Sequence, residues 1–176
     1  MKTIEDDSEE HMSVETCGKI LVSQFENNDV DSDAMPLNMR GYHPWHVSIR
    51  PNEINGSSAH HCSGVLVSNK HVITAAHCLK NYHHNDFFLR FGDHLTDVKE
   101  IYEEDVTIDK WILHSDFQRT LAGKDIAVIV LKSPITFNKF IRSICLPSNK
   151  DKHISELNHC YISGWDLKNV PSKYNV

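Results

Sequence analysis

The stretch HCSGVLVSNKHVITAAHCL, residues 61–79, decides how this chain is read. Two short runs rich in β-branched residues, 64–68 and 71–75, flank Asn69-Lys70, a pair suited to the tight turn of a hairpin. Cys62 and Cys78 bracket that hairpin, and His77 stands directly before the second cysteine. A disulfide closing this loop would contribute roughly 3 kcal/mol through chain entropy and would fix His77 on the rim of the sheet. A general base needs such fixing, because proton transfer tolerates little misplacement.

Outward from the hairpin, the same texture continues. Further strands are expected at 46–50, 87–92, 106–114, 126–132 and 161–165, each bounded by turn residues. No long stretch carries a helical period, and only 75–79 suits a short turn of helix. Many short strands without intervening helices imply an all-β barrel or sandwich. In KDIAVIVLKSPITF, residues 124–137, one acid, Asp125, heads an apolar run. An aspartate drawn partly into the protein there needs a hydrogen-bond donor, and a histidine N–H would satisfy it while orienting the imidazole. Residues 1–40 differ: they are rich in Asp, Glu, Asn and Ser, with GKILVSQF as one apolar island, and read as a tail or linker.

The chain has 176 residues, 40% hydrophobic and 24% charged, which suits one globular domain or part of a larger one. A formal net charge of -6 argues against nucleic acid or an anionic membrane as the main partner. No apolar run is long enough to span a bilayer. The opening MKTIEDDSEEHM has neither the basic nor the apolar region of a secretory signal. Five cysteines without a CxxC pair nevertheless fit disulfides better than zinc, and disulfides need an oxidising compartment. Together these features lead to the expectation that the natural N-terminus lies upstream.

TAAHC at 74–78 and DIAVIVL at 125–131 resemble the histidine and aspartate motifs of the chymotrypsin-like, or trypsin-family, serine proteases. GYHPWHVSI, ICLP at 144–147 and CYISGW at 160–165 match in the same order, so the resemblance covers residues 41–166. It implies a double β-barrel with the first barrel complete and the second only partly present. It also divides the chain into a polar, propeptide-like segment at 1–40 and a truncated protease domain at 41–176. His77 becomes the general base and Asp125 its orienting acid. Cys62 pairs with Cys78 and Cys17 with Cys145, leaving Cys160 unpaired.

By the same resemblance the nucleophilic serine is expected near residue ~220, on the family's His, Asp, Ser chain order. None of the serines after Asp125 sits in a Gly-Asp-Ser-Gly context. The expectation is therefore a secreted trypsin-like endopeptidase in its longer form, acting on protein or peptide substrates. The 176 residues alone are expected to be inactive, with no nucleophile, oxyanion hole or specificity pocket. The activation position also departs from the family. Counting back from Trp45 gives Asp31 before Ser32-Asp33-Ala34-Met35, where a basic residue and then an apolar terminus are usual. This keeps open an alternative: a non-catalytic protease homologue acting as an extracellular binding or regulatory partner of cascade proteases or inhibitors.

Residues 92–103, GDHLTDVKEIYE, resemble the calcium loop of some family members. Asp93, Glu100 and Glu103 would give carboxylates, and Leu95 and Val98 carbonyls, to a structural Ca²⁺. No other cofactor is expected. The thirteen histidines include the pairs His60-His61 and His83-His84, but neighbours on a strand point to opposite faces and chelate poorly, so these are expected to be surface residues. Asn55-Gly56-Ser57 is a glycosylation sequon, and Trp45, Trp111 and Trp165 are expected to pack in the core or at the rim.

Overall fold

A computed structural model describes residues 17–22, 40–52, 60–96, 98–117, 123–148 and 162–165. Six strands follow one another: β1 (His46–Pro51), β2 (Cys62–Ser68), β3 (His71–Thr74), β4 (Phe87–Phe91), β5 (Glu104–Leu113) and β6 (Ala127–Leu131). They close into an antiparallel barrel in the order β1-β2-β3-β6-β5-β4. Single 3₁₀ turns, Ala76–Cys78 and His84–Asp86, are the helical elements among the described residues.

The barrel closes because alternate residues of each strand are apolar and need one interior. β4 and β6 bury every second residue: Phe87, Leu89 and Phe91 on one, Ala127, Ile129 and Leu131 on the other. Val47, Ile49, Leu66, Val72, Val106 and Ile108 complete the filling. Trp45 and Trp111 lean on this core from its edge, as expected of them. Asn69 and Lys70 form the turn between β2 and β3, and their carbonyls accept the amides of Ile135 and Leu131 at 2.8 and 3.0 Å. Closure leaves no open sheet edge in this barrel.

β1 breaks the alternation. Val47 and Ile49 face the core, yet Ser48 and Arg50 on the opposite face are buried as well. The loop after β4 meets Arg50 on that face, and His60 meets Ser48. That loop begins at Gly92, whose φ of +69° suits only glycine, and where a Cβ would collide with the Tyr102 carbonyl.

Two disulfides tie the periphery to the barrel. Cys62 joins Cys78 across the β2–β3 hairpin, and Cys17 joins Cys145 over a separation of 128 residues. The amide of Gly18 also donates to the Ser143 carbonyl at 2.8 Å, so residues 17–22 are pinned against the far end of the domain. Cys160 lies outside the described residues, as do the sequon and residues 31–35.

One expected strand is absent. Of 161–165, residues 162–165 are described and are not in a strand. Among the described residues no strand lies alongside to share a ladder, and Ile162 is almost fully exposed. The segment is held by a side chain: the Trp165 ring stacks on His46 at 4.5 Å, and its Nε1 donates to the His94 carbonyl at 3.1 Å. The described residues thus contain one complete barrel and no paired strand of a second.

Candidate active site

Strand register brings the two chemistry-bearing motifs together. β3 pairs with β6 so that Thr74 lies opposite Ala127. His77 follows Thr74 by three residues, in the 3₁₀ turn, and Asp125 precedes Ala127 by two. Both side chains therefore leave the same end of the barrel from adjacent strands.

Asp125 grips the histidine twice. Its Oδ1 accepts the backbone N–H of His77 at 2.8 Å, and its Oδ2 accepts from the His77 ring at Nδ1, 2.6 Å away. A carboxylate only accepts, so Nδ1 carries the proton and Nε2 keeps a lone pair. Nε2 lies 3.5 Å from Cys78 Sγ, a disulfide sulfur with no hydrogen to give. The arrangement fixes the orientation of the ring and, in its neutral form, the tautomer that leaves Nε2 as the basic nitrogen. The hydrogen bond from the His77 ring, followed by that from the His77 amide, holds the Asp125 carboxyl below the usual carboxylate range.

The pair is open to water. The His77 side chain is 64% exposed and that of Asp125 41%, so Asp125 is less withdrawn than its place before an apolar strand suggested. The apolar run begins one residue too late to bury it: Ile126 is itself exposed, and Ala127 is the first buried residue.

The acidic loop is a separate feature. Carboxylate oxygens of Asp93, Glu100 and Glu103 lie within 4.8 Å of one another, close enough for one ion to touch all three. Their partners differ. Glu100 is taken by Arg40 on one oxygen and by the amides of His94 and Leu95 on the other, at 3.0 and 3.3 Å. Asp93 gives Oδ2 to Arg50, and Glu103 faces Arg90 at 3.3 Å. Asp93 Oδ1 and both Glu103 oxygens are buried without a hydrogen bond. Burial pushes both carboxyls above their usual range, against Arg50 for Asp93 and against the Glu100 backbone and then Arg90 for Glu103. Buried carboxylate oxygens that lack a hydrogen bond, one of them facing only Arg90, fit a hard cation. The Leu95 carbonyl accepts the Val98 amide at 3.1 Å and retains a second lone pair.

Sequence reasoning missed the arginines and the histidine face. Arg40, Arg50 and Arg90 each hold one acid of the loop, but no motif marks them. The surface reading of the paired histidines holds for His83 and His84, which are exposed. It fails for His60, whose Nδ1 lies 2.8 Å from Ser48 Oγ and whose ring lies beside Trp165. Burial lowers both His60 and His46 to about 4.

The sequence profile of the trypsin family matches residues 37–175. The chain belongs to that family. The trypsin-family stretch is also similar to an ovochymase of Halocynthia roretzi, 34% identical over 128 residues. That alignment takes in 72% of this chain but only 8% of the relative, so the chain spans a small part of the length of the protein it matches. The closed β-barrel and the two disulfides agree with the family. Among the described residues no helix is long and apolar enough to cross a membrane.

Proposed function

We propose that this chain supplies the base and its orienting acid to a secreted serine endopeptidase that hydrolyses peptide bonds in proteins. The observation that carries the reading is the double grip of Asp125 on His77, through ring and backbone. In such a reaction a serine hydroxyl gives its proton to His77 Nε2 as its oxygen attacks the scissile carbonyl. Asp125 stabilises the imidazolium that forms, and His77 then returns the proton to the leaving amine. The 176 residues offer no Gly-Asp-Ser-Gly nucleophile motif. Base and acid without nucleophile and oxyanion donors do not complete acyl transfer. The chain by itself is therefore inactive on this reading, and its family's disulfide pattern favours an extracellular setting. The loop 92–103 offers Ca²⁺ a site through Asp93, Glu103 and the loop carbonyls, outside the chemistry of the His77–Asp125 pair.

The test is to assay the purified, oxidised chain on arginyl and aromatic ester substrates. No hydrolysis above buffer is expected; robust turnover abolished by His77→Ala overturns the claim of inactivity. A second reading, a non-catalytic homologue that binds cascade proteases or their inhibitors, is favoured by Asp31 at the position where the family is cut after a basic residue. Extending the chain through its transcript separates the two. A Gly-Asp-Ser-Gly-Gly continuation supports the endopeptidase, and glycine in place of that serine supports the homologue.

A further inference from the structure

Arg50 sits in an unusual place for a guanidinium. It lies on β1, its side chain is 3% exposed, and it faces the loop that follows β4. Its Nε donates to Ser48 Oγ at 3.1 Å on its own strand. Its two terminal nitrogens both donate to the Thr96 carbonyl, at 3.3 and 3.2 Å, and Nη2 also donates to Asp93 Oδ2 at 2.6 Å. One buried positive group thus binds a carboxylate and a backbone carbonyl of the same short loop. Those are the donor types that a structural cation gathers in such loops. Arg50 differs in being anchored covalently to the barrel, so its position costs nothing in lost translation when the loop closes over it.

Charge arithmetic points the same way. Arg50 and Arg40 each face one of the loop's acids, Asp93 and Glu100, while Arg90 is shared between Glu103 at 3.3 Å and Asp105 at 2.7 and 2.8 Å. Most of the loop's negative charge is thus already met by arginines before any ion arrives. A divalent ion would find Asp93 Oδ1 and Glu103 Oε1 without a hydrogen bond, but would share Glu103 Oε2 with Arg90 and meet the Arg50 guanidinium behind Asp93. Like charge lowers the affinity of such a site.

We propose that Arg50 is the resident cation of the 92–103 loop: it holds residues 93–96 in shape without a metal and makes any divalent ion a weak, accessory ligand that shares Asp93 with it. The second half rests on the calcium reading of this loop; the first does not.

Amide hydrogen exchange of residues 94–100 is measured on the whole oxidised chain, in chelator and in millimolar Ca²⁺, together with a terbium titration. The wild-type loop is expected to keep equal protection in both buffers. In Arg50→Met, loop exchange in chelator should rise about tenfold or more, Ca²⁺ should restore protection, and terbium should bind about tenfold more tightly, the effect of removing one like charge at close range. If Arg50→Met does not fold, Arg50→Lys keeps the charge, gives up the forked donation to Thr96 and is read on the same amides. Loss of wild-type protection in chelator overturns the proposal, because the ion and not Arg50 would then shape the loop. Full protection of the variant in chelator overturns it equally. Failure of both proteins to bind terbium overturns the calcium reading and the affinity claim, while the exchange data still decide whether Arg50 holds the loop.

Discussion

Asp93 and Asp125 each meet a nitrogen partner at 2.6 Å on the same barrel, yet their environments act on them in opposite directions. The Asp93 side chain is fully buried with a buried guanidinium, and burial drives its carboxyl up. Asp125 is 41% exposed, and hydrogen bonds from His77 drive it down. Contact distance alone therefore says little about what a carboxylate is for. A buried pair is a structural commitment, since removing one partner strands a charge in a poor solvent. An exposed pair holds geometry and remains free to exchange protons, which a catalytic relay requires.

The comparison breaks most visibly at Arg50. Arg50→Met leaves Asp93 buried and unpaired and should cost about 3–5 kcal/mol in a urea melt. Joining it to Asp93→Leu should recover most of that loss, because a well-packed apolar pair often replaces a buried ion pair at little cost. If the double variant is as unstable as the single one, the loop needs Arg50 for its bonds to Thr96 more than for its charge pairing.

Next in size is the bridge that carries His77. Replacing Cys62 and Cys78 together by alanine should cost about 3 kcal/mol, the value for closing a loop of this length. The loss should also loosen the 3₁₀ turn that presents the histidine. A stability change well below that size would mean that β2–β3 pairing alone holds the hairpin.

These two sites also differ in how far they were legible in the sequence. His77 and Asp125 are written in short motifs whose order and spacing are specific, and strand register does the rest. The six barrel strands follow from period-two alternation and turn residues. The burial of Ser48 and Arg50 does not. Alternation assigns them to the outer face; Arg50 is met there by a loop more than forty residues along the chain and Ser48 by His60, non-local contacts with no local signal. Residues 162–165 fail for the related reason that a strand needs a neighbour, which no residue in the segment can supply.

The face covered by Trp165 adds a pH dependence that the exposed pair cannot match. His46 is lowered from 6.5 to about 4 by burial first and by His43 and His60 next. The unfolded chain then binds more protons between those values, so stability is complete above about 6.5 and falls as pH drops toward 4. For His46 the loss at pH 5 comes to about 2 kcal/mol. His60 acts in the same sense, whereas the raised carboxyls of Asp93 and Glu103 act in the opposite one, losing stability as pH rises through their range. Urea melts at pH 7 and pH 5 should show a net loss at pH 5, and His46→Phe, which keeps a ring for Trp165 to stack on, should remove most of His46's share. An unchanged slope in that variant would assign the effect to other groups.

The smallest expected change in stability belongs to the residue with the largest expected effect on chemistry. Asp125→Asn removes one exposed ion-pair partner and should cost less than about 1 kcal/mol. Its amide can still accept the His77 backbone N–H through oxygen, which then turns the NH₂ group toward Nδ1. A donor facing Nδ1 forces the imidazole proton to Nε2, and the lone pair that would take a serine proton is gone. The ring nitrogens of His77 should therefore exchange roles in ¹⁵N NMR, Nδ1 protonated in the wild type and Nε2 in the variant, with the melting curve nearly unmoved. If the tautomer stays as it was, the backbone bond and the Cys62–Cys78 bridge orient the ring without the acid, and Asp125 loses its assigned part in tuning the base.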